Sequence, residues 1–194
     1  MRVISGRFQR RTLRTPKGSR TRPTTDRVRE SLFGSLTHMT DLDGCRFLDL
    51  YAGSGAVGLE ALSRGAERTT FVERAPAALD VLRENISSLG VQHSCQVVAA
   101  PVLTFLKRQA PAEPYDVVFL DPPYESPIDA DLEALAVGGW LADQALVVTE
   151  RSSRDPEPAA PAPLTLETTR TYGETRLSYF TFAAAQPSQP SLPS

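Results

Sequence analysis

From residue 46 to residue 150 the chain alternates short apolar runs with helical apolar spacing. Strands are predicted at 46–51, 69–73, 95–99, 116–120 and 145–150, and helices at 57–64, 76–89, 102–109 and 129–137. Strands separated by helices cannot pair as tight hairpins. They need crossover connections, which make a parallel sheet covered on both faces. Pro76 suits a first helical turn, because its missing N–H has no intrahelical partner there. Beyond residue 154 the pattern changes. Residues 155–163 form a Pro/Ala-rich loop, and β-rich runs at 164–172 and 175–182 flank Gly173-Glu174, a tight hairpin signal. The sheet is therefore expected to end in an antiparallel pair. Ahead of the alternating region, residues 2–14 read as two short strands around Gly6, and 15–23 as a loop. Thr24-Thr25-Asp26 then offers a cap-type start to a helix carrying Val28, Leu32, Phe33 and Leu36.

A chain of 194 residues is long enough for one domain with a real core. No apolar run reaches the length of a membrane span. Met1 to Gly6 contain no apolar stretch of a signal peptide, so a cytoplasmic location is expected. Cys45 and Cys95 are too few for a disulfide framework or a zinc site and are expected as buried free thiols. The charge is distributed unevenly. Residues 1–30 hold ten Lys or Arg against two acids, whereas the other 164 residues hold 11 against 21. A basic arm on an acidic body fits a polyanionic partner held at one edge. A solvated tail is the plain alternative, but Val3, Ile4, Phe8 and Leu13 interrupt the charges and can anchor the segment. Arg7, Arg10, Arg11, Arg14, Lys17, Arg20 and Arg22 are the candidate phosphate ligands; Arg27 and Arg29 lie on the helix, where ion pairs compete.

The first strand runs through Asp49 into Tyr51-Ala52-Gly53-Ser54-Gly55-Ala56-Val57-Gly58. Small residues let a ligand approach the backbone beside a helix N-terminus. The spacing formally fits a dinucleotide fingerprint, and Glu73 ends the next strand where a ribose-binding acid is expected. Three readings compete: a nicotinamide dinucleotide, S-adenosylmethionine, or tight packing alone. Asp49 tilts the choice. A carboxylate aimed at this loop suits a ligand with a cationic amino-acid group better than a pyrophosphate. Asp49, Ala52, Gly53, Ser54, Gly55 and Glu73 are the candidate cofactor residues. Ala100 stands where a polar side chain could have met an adenine.

The fourth strand ends in Asp121-Pro122-Pro123-Tyr124. Two prolines fix φ and stiffen the turn. The Asp121 carboxylate and the Pro122 carbonyl can both accept hydrogen bonds, with Tyr124 as a stacking plate. Such a receptor suits a planar ring carrying an –NH2 group, that is, a nucleobase. Asp121, Pro122 and Tyr124 are the candidate catalytic residues; Pro123 is assigned to structure, and Trp140 to the core.

D-L-Y-A-G-S-G, Glu73 and D-P-P-Y together resemble class I S-adenosylmethionine-dependent methyltransferases that act on exocyclic amines. Arg22-Pro23-Thr24-Thr25-Asp26-Arg27-Val28-Arg29-Glu30-Ser31-Leu32-Phe33 and Leu59-Glu60-Ala61-Leu62-Ser63-Arg64-Gly65-Ala66 narrow the resemblance to the RsmD family, 16S ribosomal RNA guanine-N2 methyltransferases. It covers roughly residues 2–182; the departures are Ala100, the insert at 155–163 and the tail. The resemblance implies a Rossmann-like α/β fold, a seven-stranded mostly parallel sheet with a final antiparallel strand. It also implies S-adenosylmethionine as cofactor and a guanine of 16S rRNA as target, presented in the 30S subunit or a late assembly intermediate. The expected organisation is a basic N-terminal extension for RNA binding (1–40), a methyltransferase domain (41–183) and a disordered tail (184–194), as a monomer. Alternatives are a DNA adenine-N6 or cytosine-N4 methyltransferase, and a non-catalytic RNA-binding assembly factor.

Overall fold

The computed structural model describes residues 1–16, 26–123 and 128–184. In chain order the elements are α1 (Asp26–Met39), β1 (Arg46–Leu50), α2 (Ala56–Ser63), β2 (Arg68–Glu73), α3 (Pro76–Leu89) and β3 (Cys95–Ala99). They continue with α4 (Val102–Leu106), β4 (Tyr115–Leu120), α5 (Asp129–Val137), β5 (Leu141–Ser152), β6 (Leu164–Tyr172) and β7 (Thr175–Phe182). The seven strands form one sheet in the order β3-β2-β1-β4-β5-β7-β6. β1 to β5 are parallel, while β7 runs antiparallel to both β5 and β6. The expected α/β sheet with its antiparallel end is therefore what the chain forms.

The order turns back between β1 and β4, and a cleft at the carboxyl ends of the strands is where such sheets bind ligands. Alternation divides the side chains between two layers. Phe47, Phe71, Val117, Phe119, Leu146 and Val148 face the layer that contains α1, α2 and α3. Leu48, Leu50, Val72, Val118, Leu120 and Val147 face the layer of α4 and α5. Trp140 is buried in the second layer and donates its indole N–H to the Leu106 carbonyl at 3.0 Å. Cys45 is a buried free thiol and Cys95 a half-buried one.

Two elements differ from the sequence expectation by three residues or more. α4 stops at Leu106, three residues early. β5 starts at Leu141 because the Tyr115 N–H bonds the Trp140 carbonyl, and a bulge with Gln144 at φ 62° separates that pair from the main ladder.

The two short strands read around Gly6 double back on each other: Arg2 and Thr12 form an antiparallel bridge, flanked by bonds from the Leu13 N–H to the Met1 carbonyl (2.9 Å), the Val3 N–H to the Arg11 carbonyl (3.0 Å) and the Arg10 N–H to the Val3 carbonyl (2.9 Å). Other polar groups of the arm are met by helices. The buried Glu60 carboxylate accepts the N–H groups of Ile4 (2.7 Å) and Ser5 (2.9 Å) and the Arg64 Nε–H (2.8 Å). Arg7 and Phe8 donate their N–H groups to the Ser63 carbonyl and hydroxyl. Gly6 sits at φ 80°, and a Cβ there would lie 1.8 Å from the Ser63 carbonyl oxygen, so only glycine permits this approach. Val3 and Leu13 are buried in the same core as Leu32, Phe33 and Phe47. The arm is thus part of the main body. Arg29, expected to be undecided between roles, is fully buried; it donates to the Arg2 carbonyl (2.6 Å) and to Asp26 (3.1 Å).

Candidate active site

A cleft of about 600 Å³ opens at the carboxyl ends of β1, β2, β4 and β5. Asp49, Ala52, Gly53, Ser54, Glu73, Asp121 and Pro122 all line it, so the sequence-predicted cofactor and target residues converge. Gly55 does not line it. Its φ is 79°, and a Cβ would come within 2.3 Å of Leu82 Cδ1, so this glycine is required by the packing of α2 on α3. Tyr124, Lys17, Arg20 and Arg22 lie outside the described residues.

The loop after β1 is held by acids at strand ends. The Glu73 carboxylate accepts the Gly53 N–H at 2.9 Å on Oε2, and the Arg74 and Ala75 N–H groups at 2.7 and 2.8 Å on Oε1. Carboxylate oxygens retain further lone pairs for ribose hydroxyls. Asp49 is 2% exposed and accepts the Gly58 N–H in the first turn of α2 at 2.9 Å. Burial pushes its pKa up to about 8; the Gly58 N–H opposes this and Glu73 adds to it. Asp121 is raised well above the ordinary carboxylate range by burial first, then by Glu150 and Asp49, with Arg151 acting the other way. The Ala100 N–H is already engaged by the Glu73 and Val98 carbonyls, so neither its side chain nor its amide offers an adenine a donor.

Four carboxylates (Asp49, Glu73, Asp121 and Glu150) and two guanidiniums (Arg74 and Arg151) line the cleft among the described residues. Arg151 is itself paired with Asp155 at 3.0 Å. Asp49 and Asp121, both raised by burial and by neighbouring acids, are relieved by a cation and penalised by an anion. A pyrophosphate would worsen this field. The sulfonium and ammonium of S-adenosylmethionine would neutralise it, with Glu73 on the ribose hydroxyls and Asp49 toward the ammonium. The residues present therefore fit that cofactor.

The arm reaches the site as well. Met1, Thr15 and Pro16 line the cleft. Asn85 of α3 accepts the Arg14 N–H at 2.8 Å and donates to the Arg14 carbonyl (3.0 Å) and the Ser54 carbonyl (2.9 Å). One buried amide so ties the arm to the cofactor loop. Of the basic candidates, Arg7 and Arg10 are exposed, with Arg7 over the Phe8 ring at 4.5 Å. Arg11 donates to the Ser88 carbonyl at 2.6 Å and Arg14 pairs with Glu84 at 2.7 Å, both at the surface. Asn85, Glu150 and Arg151 were not singled out in the sequence. Asn85 carried no local signal there; Glu150, an acid at a strand's carboxyl end, did.

A doubly-wound sheet that turns back beside a glycine loop, with an acid-lined cleft suited to a cationic cofactor, defines a class I S-adenosylmethionine-dependent methyltransferase. The chain belongs to the RsmD family, whose model, described as conserved hypothetical protein 95, matches residues 1–181. It is 37% identical over 175 residues to ribosomal RNA small subunit methyltransferase D of Escherichia coli (strain K12), covering 90% of this chain and 86% of that protein. The Haemophilus influenzae protein of the same name is 35% identical over 158 residues, 80% of this chain and 81% of its own length. Among solved structures, the methyltransferase yhhF of Escherichia coli superposes with a TM-score of 0.85 at 35% identity, covering 95% of this chain and 99% of its own. A hypothetical protein of Thermus thermophilus gives 0.78 at 34% identity, with 92% and 98% covered. Among the described residues no helix is long and apolar enough to cross a membrane.

Proposed function

We propose that the protein methylates the exocyclic N2 amine of a guanine in 16S ribosomal RNA, with S-adenosylmethionine as methyl donor. One observation carries the reading. Asp121 and Pro122 stand at the end of β4 in the same cleft as Asp49 and Glu73, so an amine acceptor and a cofactor site share one space. The similarity to small-subunit rRNA methyltransferases over most of both chains supports the choice of substrate.

S-adenosylmethionine, when bound, supplies an electrophilic methyl group on sulfur. The chain's own residues prepare the nucleophile. A guanine must leave its stack to enter such a cleft. Tyr124, assigned on sequence grounds, stacks on the extruded ring, a contact of roughly 1–3 kcal/mol. The Asp121 carboxylate and the Pro122 carbonyl accept the two amine hydrogens. This favours a pyramidal nitrogen whose lone pair points toward the donor. Positive charge grows on that nitrogen during transfer, and the fixed Asp121 carboxylate stabilises it more than the ground state. Burial and the neighbouring acids raise the pKa of Asp121, which also suits it to receive the amine proton afterwards.

The exposed Arg7 and Arg10, with Arg11, Arg14, Lys17, Arg20 and Arg22, bind phosphates of the RNA. Residues 1–40 serve as the RNA-binding extension packed onto the methyltransferase body at 41–183; beyond Ala184 the tail expected at 184–194 lies outside the described residues. The substrate is the 30S subunit or a late assembly intermediate, met in the cytoplasm by a monomeric enzyme. The test is methyl transfer from labelled cofactor to free 16S rRNA, to 30S subunits lacking the modification, and to duplex DNA, followed by nucleoside identification. N2-methylguanosine from the 30S sample is expected. N6-methyladenine from DNA would keep the amine chemistry and overturn the substrate.

A further inference from the structure

We propose that Glu150 determines base specificity by accepting the N1–H of the target guanine beside Asp121. The inference rests on the guanine-N2 reading above and names the group that separates guanine from other amines.

The sheet register places the two acids together. Asp49, Phe119 and Val148 form one row across β1, β4 and β5, and Leu50, Leu120 and Thr149 form the next. Asp121 and Glu150 each lie one position beyond Leu120 and Thr149. Alternation puts them on the face of Phe119 and Val148, which also carries Asp49. Both line the cleft, although Glu150 is only 9% exposed. Asp121 feels the Glu150 charge more strongly than that of Asp49, consistent with adjacency.

Two acceptors at Asp121 and Pro122 satisfy any exocyclic amine, so they do not select a base. The neighbouring ring position does. Guanine carries an N1–H donor next to its amine, whereas adenine N1 and cytosine N3 are bare acceptors at the corresponding place. A carboxylate there accepts from guanine and opposes a lone pair from either of the others. A site built to pair with a substrate N–H rejects an analogue that presents a lone pair there, because two acceptors are then brought together out of water.

The probe is 2,6-diaminopurine, which keeps the N2 amine but presents a bare N1. Once the target guanosine is mapped, it is replaced by 2,6-diaminopurine in ligated 16S rRNA assembled into 30S particles. The readout is kcat/KM on both substrates for the wild-type chain and for Glu150→Gln, whose amide can donate to a bare N1. The wild type is expected to prefer guanine by about 10- to 100-fold. Glu150→Gln should lower that preference at least 10-fold, with cofactor affinity and melting temperature close to wild type. Glu150→Ala should lose guanine activity and gain nothing on the analogue. Equal losses on both substrates in Glu150→Gln would overturn the proposal and reduce Glu150 to support of Asp121. No transfer to any guanine by the wild type would instead overturn the underlying function.

Discussion

Asn85→Ala removes three hydrogen bonds that join the arm to the cofactor loop, those of the Arg14 N–H, the Arg14 carbonyl and the Ser54 carbonyl. Asn85 is 1% exposed and Ser54 9%, so water does not readily replace the amide. At about 1 kcal/mol net for each bond, the loss is about 3 kcal/mol. With a urea m-value of about 2 kcal/mol/M, the midpoint should fall by about 1.5 M. The single, buried Trp140 reports the transition by fluorescence. Asn85→Asp supplies the sharper comparison. It keeps the acceptor for the Arg14 N–H but turns oxygen, in place of the amide nitrogen, toward two carbonyls. The nearly isosteric Asp variant should therefore be less stable than the Ala variant, by about 1–2 kcal/mol. Both should raise KM for S-adenosylmethionine, because the Ser54 loop loses its anchor. A loss under about 0.5 kcal/mol for Ala, or an Asp variant milder than Ala, would refute the reasoning.

Three further outcomes are expected. Gly55→Ala forces a side chain at φ 79° into Leu82 at 2.3 Å, and strain with overpacking should cost about 2–4 kcal/mol, seen as a melting temperature lower by about 5–15 °C. Asp49 has a folded pKa of about 8 against about 3.9 unfolded, so its ionisation draws stability down as pH rises from about 4 to about 8. A cationic cofactor restores the carboxylate, so binding at neutral pH should release a proton; calorimetry in two buffers of different ionisation enthalpy measures it, and Asp49→Asn should reduce it, leaving only what Asp121 contributes. Replacing the exposed Arg7 and Arg10 together by Ala should weaken binding of 16S rRNA and flatten its log affinity–log salt slope by about 1.4, whereas an unchanged slope would mean that neither meets a phosphate.

Much of the architecture could be read locally. The bounds of α3, β3, α5, β6 and β7 follow from apolar period, Pro76 and the Gly173-Glu174 turn, all short-range signals. The misread parts depend on distant partners. β5 gains Leu141 because Tyr115 pairs there, and only the bulge at Gln144 reconciles the two registers. In the arm, Val3, Arg10 and Leu13 pair across the turn as strand positions do, but the N–H groups of Ile4, Ser5, Arg7, Phe8 and Arg14 end on Glu60, Ser63 and Asn85, three helix residues far along the chain. Nothing in residues 2–14 announces those partners.

The site divides in the same way. Asp49, Glu73 and Asp121 were legible because each lies at or near the carboxyl end of an apolar strand beside a loop. Gly55 was assigned to the cofactor by motif spacing, but its neighbours are Leu82 and Phe71, which only the packing of α3 reveals. Glu150 ends the run 145–150 read as a strand in the sequence, although β5 continues to Ser152. Its place beside Asp121 becomes visible only once β4 and β5 are paired.

The central claim is that the Asp121 carboxylate acts on the amine and not on the cofactor. It is tested most directly by single-turnover methylation of unmodified 30S subunits by Asp121→Ala, with cofactor affinity measured on the same preparation. The account predicts a rate lower by about 10²–10³-fold, with S-adenosylmethionine affinity within a few-fold of wild type. Near-normal turnover, or a loss explained by cofactor binding alone, would contradict it.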